Sequence, residues 1–337
     1  MSPAQTSYSY SPTNELTQSG TSAFSYDRAG NIVSMPGTTL SYNLGDELTS
    51  TTQGNSTTSF AYDPNGNRIS ESSSTSSAVT YGYNANNQLT SILSPTLSAS
   101  YSYNPAGLRS SATYNGVTSS FVYSPSNQLL TDGENYYIYG PSGVPIEQVS
   151  QSTGAATYLF SDQLGSVVME ADQNGNVVAT QSYSPYGTLA SSTGTDPTPF
   201  GFAGGYTDPT GLIYLINRYY DPVTGQFVSV DPQVQSTGQA YSYAGDNPIN
   251  AVDPIGLNPA CPNQLPGNKA GPCAPGGNGI GTAGPHCNCH TKKSLTNVCT
   301  FSPPEHFRLD FTELYRSMDY SNYLPLTSAL VLSGWMD

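Results

Sequence analysis

The chain has 337 residues and a formal net charge of −14, yet only 9% of its residues are charged, too few for surface helices built on Glu/Lys pairs. With 26 Tyr, 33 Gly and 26 Pro, the composition favours strands and turns. Residues 1–257 carry four basic side chains (Arg28, Arg68, Arg109, Arg218) against 18 acidic ones, whereas residues 258–337 carry five of each. A lysine-free acidic core cannot neutralise phosphates, which argues against nucleic acid as its partner and leaves solubility as the reading of its acidity.

The first residues, MSPAQTSYSYSPTN, contain neither the basic region nor the apolar run of a secretory signal. No stretch reaches the roughly 18 apolar residues of a transmembrane segment. A repeat follows instead. Tyrosine preceded two positions earlier by Tyr, Phe or Leu recurs at Tyr10, Tyr26, Tyr42, Tyr62, Tyr83, Tyr103 and Tyr123, and as Tyr137-Ile138-Tyr139, at intervals of 16 to 21 residues. That length suits a strand–turn–strand unit and is too short for paired helices. Four positions after each tyrosine stands Asn14, Gly30, Asp46, Gly66, Asn87, Gly107, Asn127 or Gly143, all residue types that accept a left-handed backbone. In Tyr62-Asp63-Pro64-Asn65-Gly66 the aspartate can accept turn hydrogen bonds, the proline presets φ, and the glycine leads into the return strand through a bulge. Alternation such as Phe60-Ala61-Tyr62 puts aromatics on one face of a half-buried strand. Because one hairpin cannot bury that face alone, the eight should stack into a continuous coiled sheet.

The pattern continues from Tyr158 to Tyr186, with another turn at Asp172–Asn176; residues 191–199 read as a Ser/Thr/Gly/Pro loop. Two Asp-Pro turns follow, Asp208-Pro209-Thr210-Gly211 and Asp221-Pro222-Val223-Thr224-Gly225, with a strand predicted from Leu212 to Tyr220 between them. Arg218 lies on that mostly apolar strand and, if buried, needs a carboxylate partner. The second turn should bring its strand beside the one leading to Asp231.

These motifs, with Asp162-Gln163-Leu164-Gly165-Ser166, Tyr183-Ser184-Pro185-Tyr186-Gly187, Arg218-Tyr219-Tyr220-Asp221-Pro222, Gly225-Gln226-Phe227, Asp246-Asn247-Pro248 and Asp253-Pro254-Ile255-Gly256-Leu257, resemble the repeat-associated core of RHS/YD-repeat proteins over about residues 8–257. The resemblance implies an all-β fold, stacked YD hairpins forming a coiled sheet or partial cocoon-like shell. It divides the chain into repeats (1–157), a core with a self-cleavage motif (158–257) and a variable extension (258–337), small, irregular and partly α-helical. It also implies an aspartic-type cut between Leu257 and Asn258. Asp231 would be the base that activates water, and Arg218 would hold it ionised or steady the oxyanion. The second acid would be Asp253, favoured for its place in the motif, or Asp246 or Asp221. The structural alternative is an Arg218–Asp231 ion pair among aspartates that merely start turns.

On the same resemblance the extension is a toxin-like effector carried as cargo, with a secretion apparatus and an immunity protein as further partners and a secreted or cell-surface location reached by a non-classical route. The competing function is a non-catalytic surface or adhesion scaffold. All five cysteines and all three histidines lie after Leu257. His286, Cys287, Cys289 and His290 could bind zinc, although overlapping C-x-C and H-x₃-H is not a standard structural spacing; no other cofactor is expected. Residues 303–318 read as a short amphipathic helix.

Overall fold

In the computed structural model, which describes residues 6–257 apart from 75 and 195–197, together with Pro259, all eight repeat turns take the backbone that their residue types permit. Asn14, Asp46, Asn87 and Asn127 lie at φ between 57° and 75°, and Gly30, Gly66, Gly107 and Gly143 between 76° and 90°. The residue after the tyrosine organises the turn. Asp27, Asn43, Asp63, Asn84 and Asn104 each accept the backbone N–H groups of the second and fourth residues beyond them at 2.8–3.1 Å. Such Asx geometry satisfies the amides that a tight reversal strands.

At every one of the eight tyrosines the strand register shifts, so the tyrosine faces the residue six positions on: Leu16, Ile32, Leu48, Arg68, Leu89, Arg109, Leu129 and Pro145. This is the expected bulge. It turns the facing side chain into the interior, where Leu16, Ile32, Leu48 and Leu89 are buried. Hydroxyls then tie neighbouring hairpins: Tyr26 donates to the Leu16 carbonyl at 2.8 Å, Tyr42 to that of Ile32 at 2.9 Å and Tyr103 to that of Leu89 at 2.6 Å.

The protein is nearly all β, and its antiparallel sheets are meanders in which each strand pairs with the next in sequence: three strands over residues 8–23, eleven over 25–120, eight over 122–194 and four over 206–227. None closes into a barrel. The eight-stranded sheet runs unbroken through residues 157 and 158, both of which lie in the strand Ala156–Ser161. Alternation is visible along Ser56–Tyr62, whose residues are exposed and half-buried by turns. The largest core cluster joins repeat residues (Leu89, Ile92, Tyr101, Phe121, Tyr137, Leu159) to Phe200, Leu212, Tyr214, Tyr219 and Val228 of the following segment. The shell thus buries its aromatic face against its own later residues.

Two local expectations are corrected. Of the loop expected at 191–199, residues 191–194 belong to the strand Leu189–Gly194, which pairs with Val177–Tyr183 from Ala179↔Gly194 to Tyr183↔Leu189. Serine and threonine serve here as strand residues, with hydroxyl pairs Thr180–Thr193 and Ser182–Ser191 across the ladder. The predicted single strand from Leu212 to Tyr220 is instead a hairpin, Ile213–Leu215 against Arg218–Asp221, reversed at Ile216 and Asn217.

Candidate self-cleavage site

Three of the four core arginines are buried, and each is ion-paired to an aspartate that precedes a proline. Arg68 Nη1 lies 2.8 Å from Asp221, Arg109 Nη1 lies 2.8 Å from Asp208, and Arg218 Nη2 lies 3.3 Å from Asp253. The first two pairs fix the strand that bears Arg218. Arg109 also donates to the Tyr219 hydroxyl at 3.1 Å, and the Arg68 backbone N–H donates to the Val228 carbonyl at 2.9 Å. Burial alone would lower the Arg109 pKa, but Asp208 and the surrounding tyrosines raise it well above its ordinary value, keeping the guanidinium charged.

Arg218 follows the hairpin tip, on a strand paired with Gln226–Phe227 across the Asp221–Gly225 turn. Its guanidinium stacks 3.6 Å from the Phe227 ring centroid, and its Nε donates to the Gly256 carbonyl at 2.6 Å. Burial lowers its pKa, and the charges of Asp231 and Asp253 oppose that shift. Both candidate carboxylates therefore act on one cation. They do so differently. Asp253 makes the ion pair and accepts the Leu257 N–H at 3.0 Å. The Asp231 carboxylate is engaged by its own turn, accepting the Gln233 N–H at 2.7 Å and the Thr237 hydroxyl at 2.9 Å ahead of the short helix Val234–Thr237. The Arg218 ion pair expected with Asp231 thus goes to Asp253, because the DPIGL loop folds back onto the hairpin while Asp231 caps a turn.

The two other aspartates considered as a second acid lie elsewhere. Asp221 is committed to Arg68 and to the Thr224 hydroxyl at 2.8 Å. Asp246 is buried with both carboxylate oxygens unpartnered. Sequence reasoning missed Asn217, whose side-chain amide and backbone N–H both donate to the Ile255 carbonyl, at 2.9 and 3.2 Å. Nothing in the sequence marks the Ile216–Asn217 reversal as a turn. Arg68 and Arg109 themselves did leave a signal: they stand at the position six after the tyrosine, which is apolar in the other six repeats. Asn258 and the zinc candidates His286, Cys287, Cys289 and His290 lie outside the described residues, as does the helix expected at 303–318. Among the described residues no group of three or more His, Cys, Asp and Glu could hold a metal, and no helix is long and apolar enough to cross a membrane.

Tyrosine-registered hairpins laid out as successive meanders and packed against their own terminal segment define a YD-repeat shell. Residues 2–249 match the teneurin YD-shell family, and the chain belongs to it. It is 30% identical over 260 residues to the tRNA3(Ser)-specific nuclease WapA of Bacillus spizizenii, a match covering 74% of this chain and 10% of that protein. It is 33% identical over 108 residues to toxin subunit YenC1 of Yersinia entomophaga, covering 30% of this chain and 11% of that one. The crystal structure of TcdB2-TccC3-Cdc42 superposes with a TM-score of 0.45 at 19% identity, over 75% of this chain and 18% of that one. The chain thus spans about a tenth of the length of these curated relatives.

Proposed function

We propose that this shell carries the residues after Leu257 as an effector and frees them by cutting itself between Leu257 and Asn258. The observation that carries the reading is the seating of the DPIGL loop on Arg218, whose guanidinium pairs with Asp253 and donates to the Gly256 carbonyl, with Asp253 at the same time accepting the amide of the residue before the cut. Asp231 takes a proton from water, the hydroxide adds to the Leu257 carbonyl carbon, and the protonated Asp231 passes that proton to the departing Asn258 nitrogen, while Asp253, ionised beside Arg218, holds the Leu257 amide. The C–N bond breaks to leave a Leu257 carboxylate and an Asn258 amine, with one water consumed. Relatives named as a nuclease and a toxin subunit support an effector as the freed part.

Intact-mass measurement after purification tests the reading. Two fragments are expected from the wild type, and one species of 35.6 kDa from Asp231→Asn, which keeps the shape of the side chain but not a base. A wild type that stays whole while folded by circular dichroism, or an Asp231→Asn chain cut at the normal rate, would leave the protein a non-catalytic scaffold.

A further inference from the structure

The Ile216–Asn217 reversal puts an isoleucine where a turn calls for glycine, and it lies directly against the DPIGL terminus. Ile216 has φ +63°, which a β-branched residue adopts only when its surroundings hold it there. Those surroundings are the turn's own Asn217 N–H to Leu215 carbonyl bond, at 2.7 Å, and the terminus. The Ile255 carbonyl accepts both donors of Asn217, the Gly256 carbonyl accepts Arg218 Nε, and the Leu257 N–H is taken by Asp253. Gly256 lies at φ +65°, and a Cβ there would stand 2.7 Å from the Leu215 carbonyl oxygen and 3.1 Å from the Arg218 nitrogen. The glycine of the cleavage motif is therefore required twice, by its own backbone and by the closeness of the hairpin. Each of the three residues leading to the cut is held through its main chain, Ile255 and Gly256 by the hairpin and Leu257 by Asp253 of its own loop.

We infer that Asn217, on the strained tip, is a positioning residue that seats residues 255–257 for hydrolysis of the following bond; this role rests on the self-cleavage reading above. Asn217 is exposed, so its replacement leaves the core intact. In the full chain Asn217→Ala should slow the appearance of the two fragments by about fivefold, the worth of one neutral hydrogen bond. Asn217→Asp separates seating from shape. Its carboxylate cannot donate to the Ile255 carbonyl, but its protonated form can, so the ratio of Asp-variant to Ala-variant rates should rise as the pH falls through about 4. Taking the ratio cancels the titration of the catalytic carboxylates, which both variants share. In the uncut Asp231→Asn background, Asn217→Ala should also speed hydrogen exchange at residues 253–257 and leave the repeats unchanged.

A wild type that cuts beside an Asn217→Ala chain that cuts equally fast overturns this role alone, as does a rate ratio flat with pH or unchanged exchange at 253–257. A wild type that never cuts removes the self-cleavage reading and this role with it.

Discussion

Gly66 and Gly175 close equivalent turns at φ +79° and +82°, but their surroundings differ. A Cβ on Gly175 meets nothing within 4 Å, whereas one on Gly66 would stand 2.7 Å from the Tyr241 hydroxyl, which donates to the Gly66 carbonyl at 2.8 Å. Gly175→Ala should therefore cost only backbone strain, about 1 kcal/mol. Gly66→Ala should cost about 1 kcal/mol more, because Tyr241 must retreat and lose its bond. Urea unfolding of both variants checks this, and equal losses would contradict it. Asp246 concerns charge rather than shape. Burial raises its carboxyl pKa well above the ordinary range, the Glu15 and Asp27 charges add to that, and Ser242 opposes it without reaching hydrogen-bond geometry. A carboxyl whose pKa is higher folded than unfolded favours the fold while it keeps its proton, and that contribution is lost as the pH rises through the folded value. Asp246→Asn, whose amide tolerates the φ of +58° found there, should match the wild type near pH 3 and become progressively more stable than it towards pH 8. Urea midpoints across that range decide the matter; a constant difference would rule out titration of Asp246 as the cause.

Among the elements, the hairpins that carry arginine stand apart. Where five of the other repeats point Leu or Ile inward and the eighth has Pro145, repeats four and six point Arg68 and Arg109 at Asp221 and Asp208. Removing one partner of a buried pair leaves an uncompensated charge, whereas replacing both need not. Arg109→Leu should thus destabilise the fold by about 3–5 kcal/mol, and Arg109→Leu with Asp208→Asn by clearly less. Chemical denaturation of the single and double variants tests the coupling, and purely additive losses would refute it. The repeats themselves were legible because each turn declares itself locally, through an αL-tolerant residue at a fixed offset and, in seven of the eight, an Asx or Ser opener. The Ile216–Asn217 hairpin was not, since a β-branched residue stands where the turn needs a positive φ, and residues some 38 positions away add to the local bonds that hold it there. The choice of Asp253 over Asp231 as the Arg218 partner was hidden for the same reason: spacing across one turn places strands, but it cannot say which carboxylate a distant loop will bring. The strand over 189–194 was missed because a run of Ser, Thr and Gly reads as a loop until a neighbour supplies the ladder.

At the scale of the whole molecule, the sheets and the ion pairs differ in how much chain they span. Strand partners are successive hairpins, so each can form as soon as its own short stretch exists, and a sheet built this way can grow in the order of synthesis. The Arg109–Asp208 and Arg68–Asp221 pairs close loops of 99 and 153 residues, which carry the larger entropic cost and wait for the last strands. Arg218 and the DPIGL seat are built on those late strands. The topology therefore acts as a clock: wrapping comes first, and the geometry around Leu257 is assembled only when the wrap is complete.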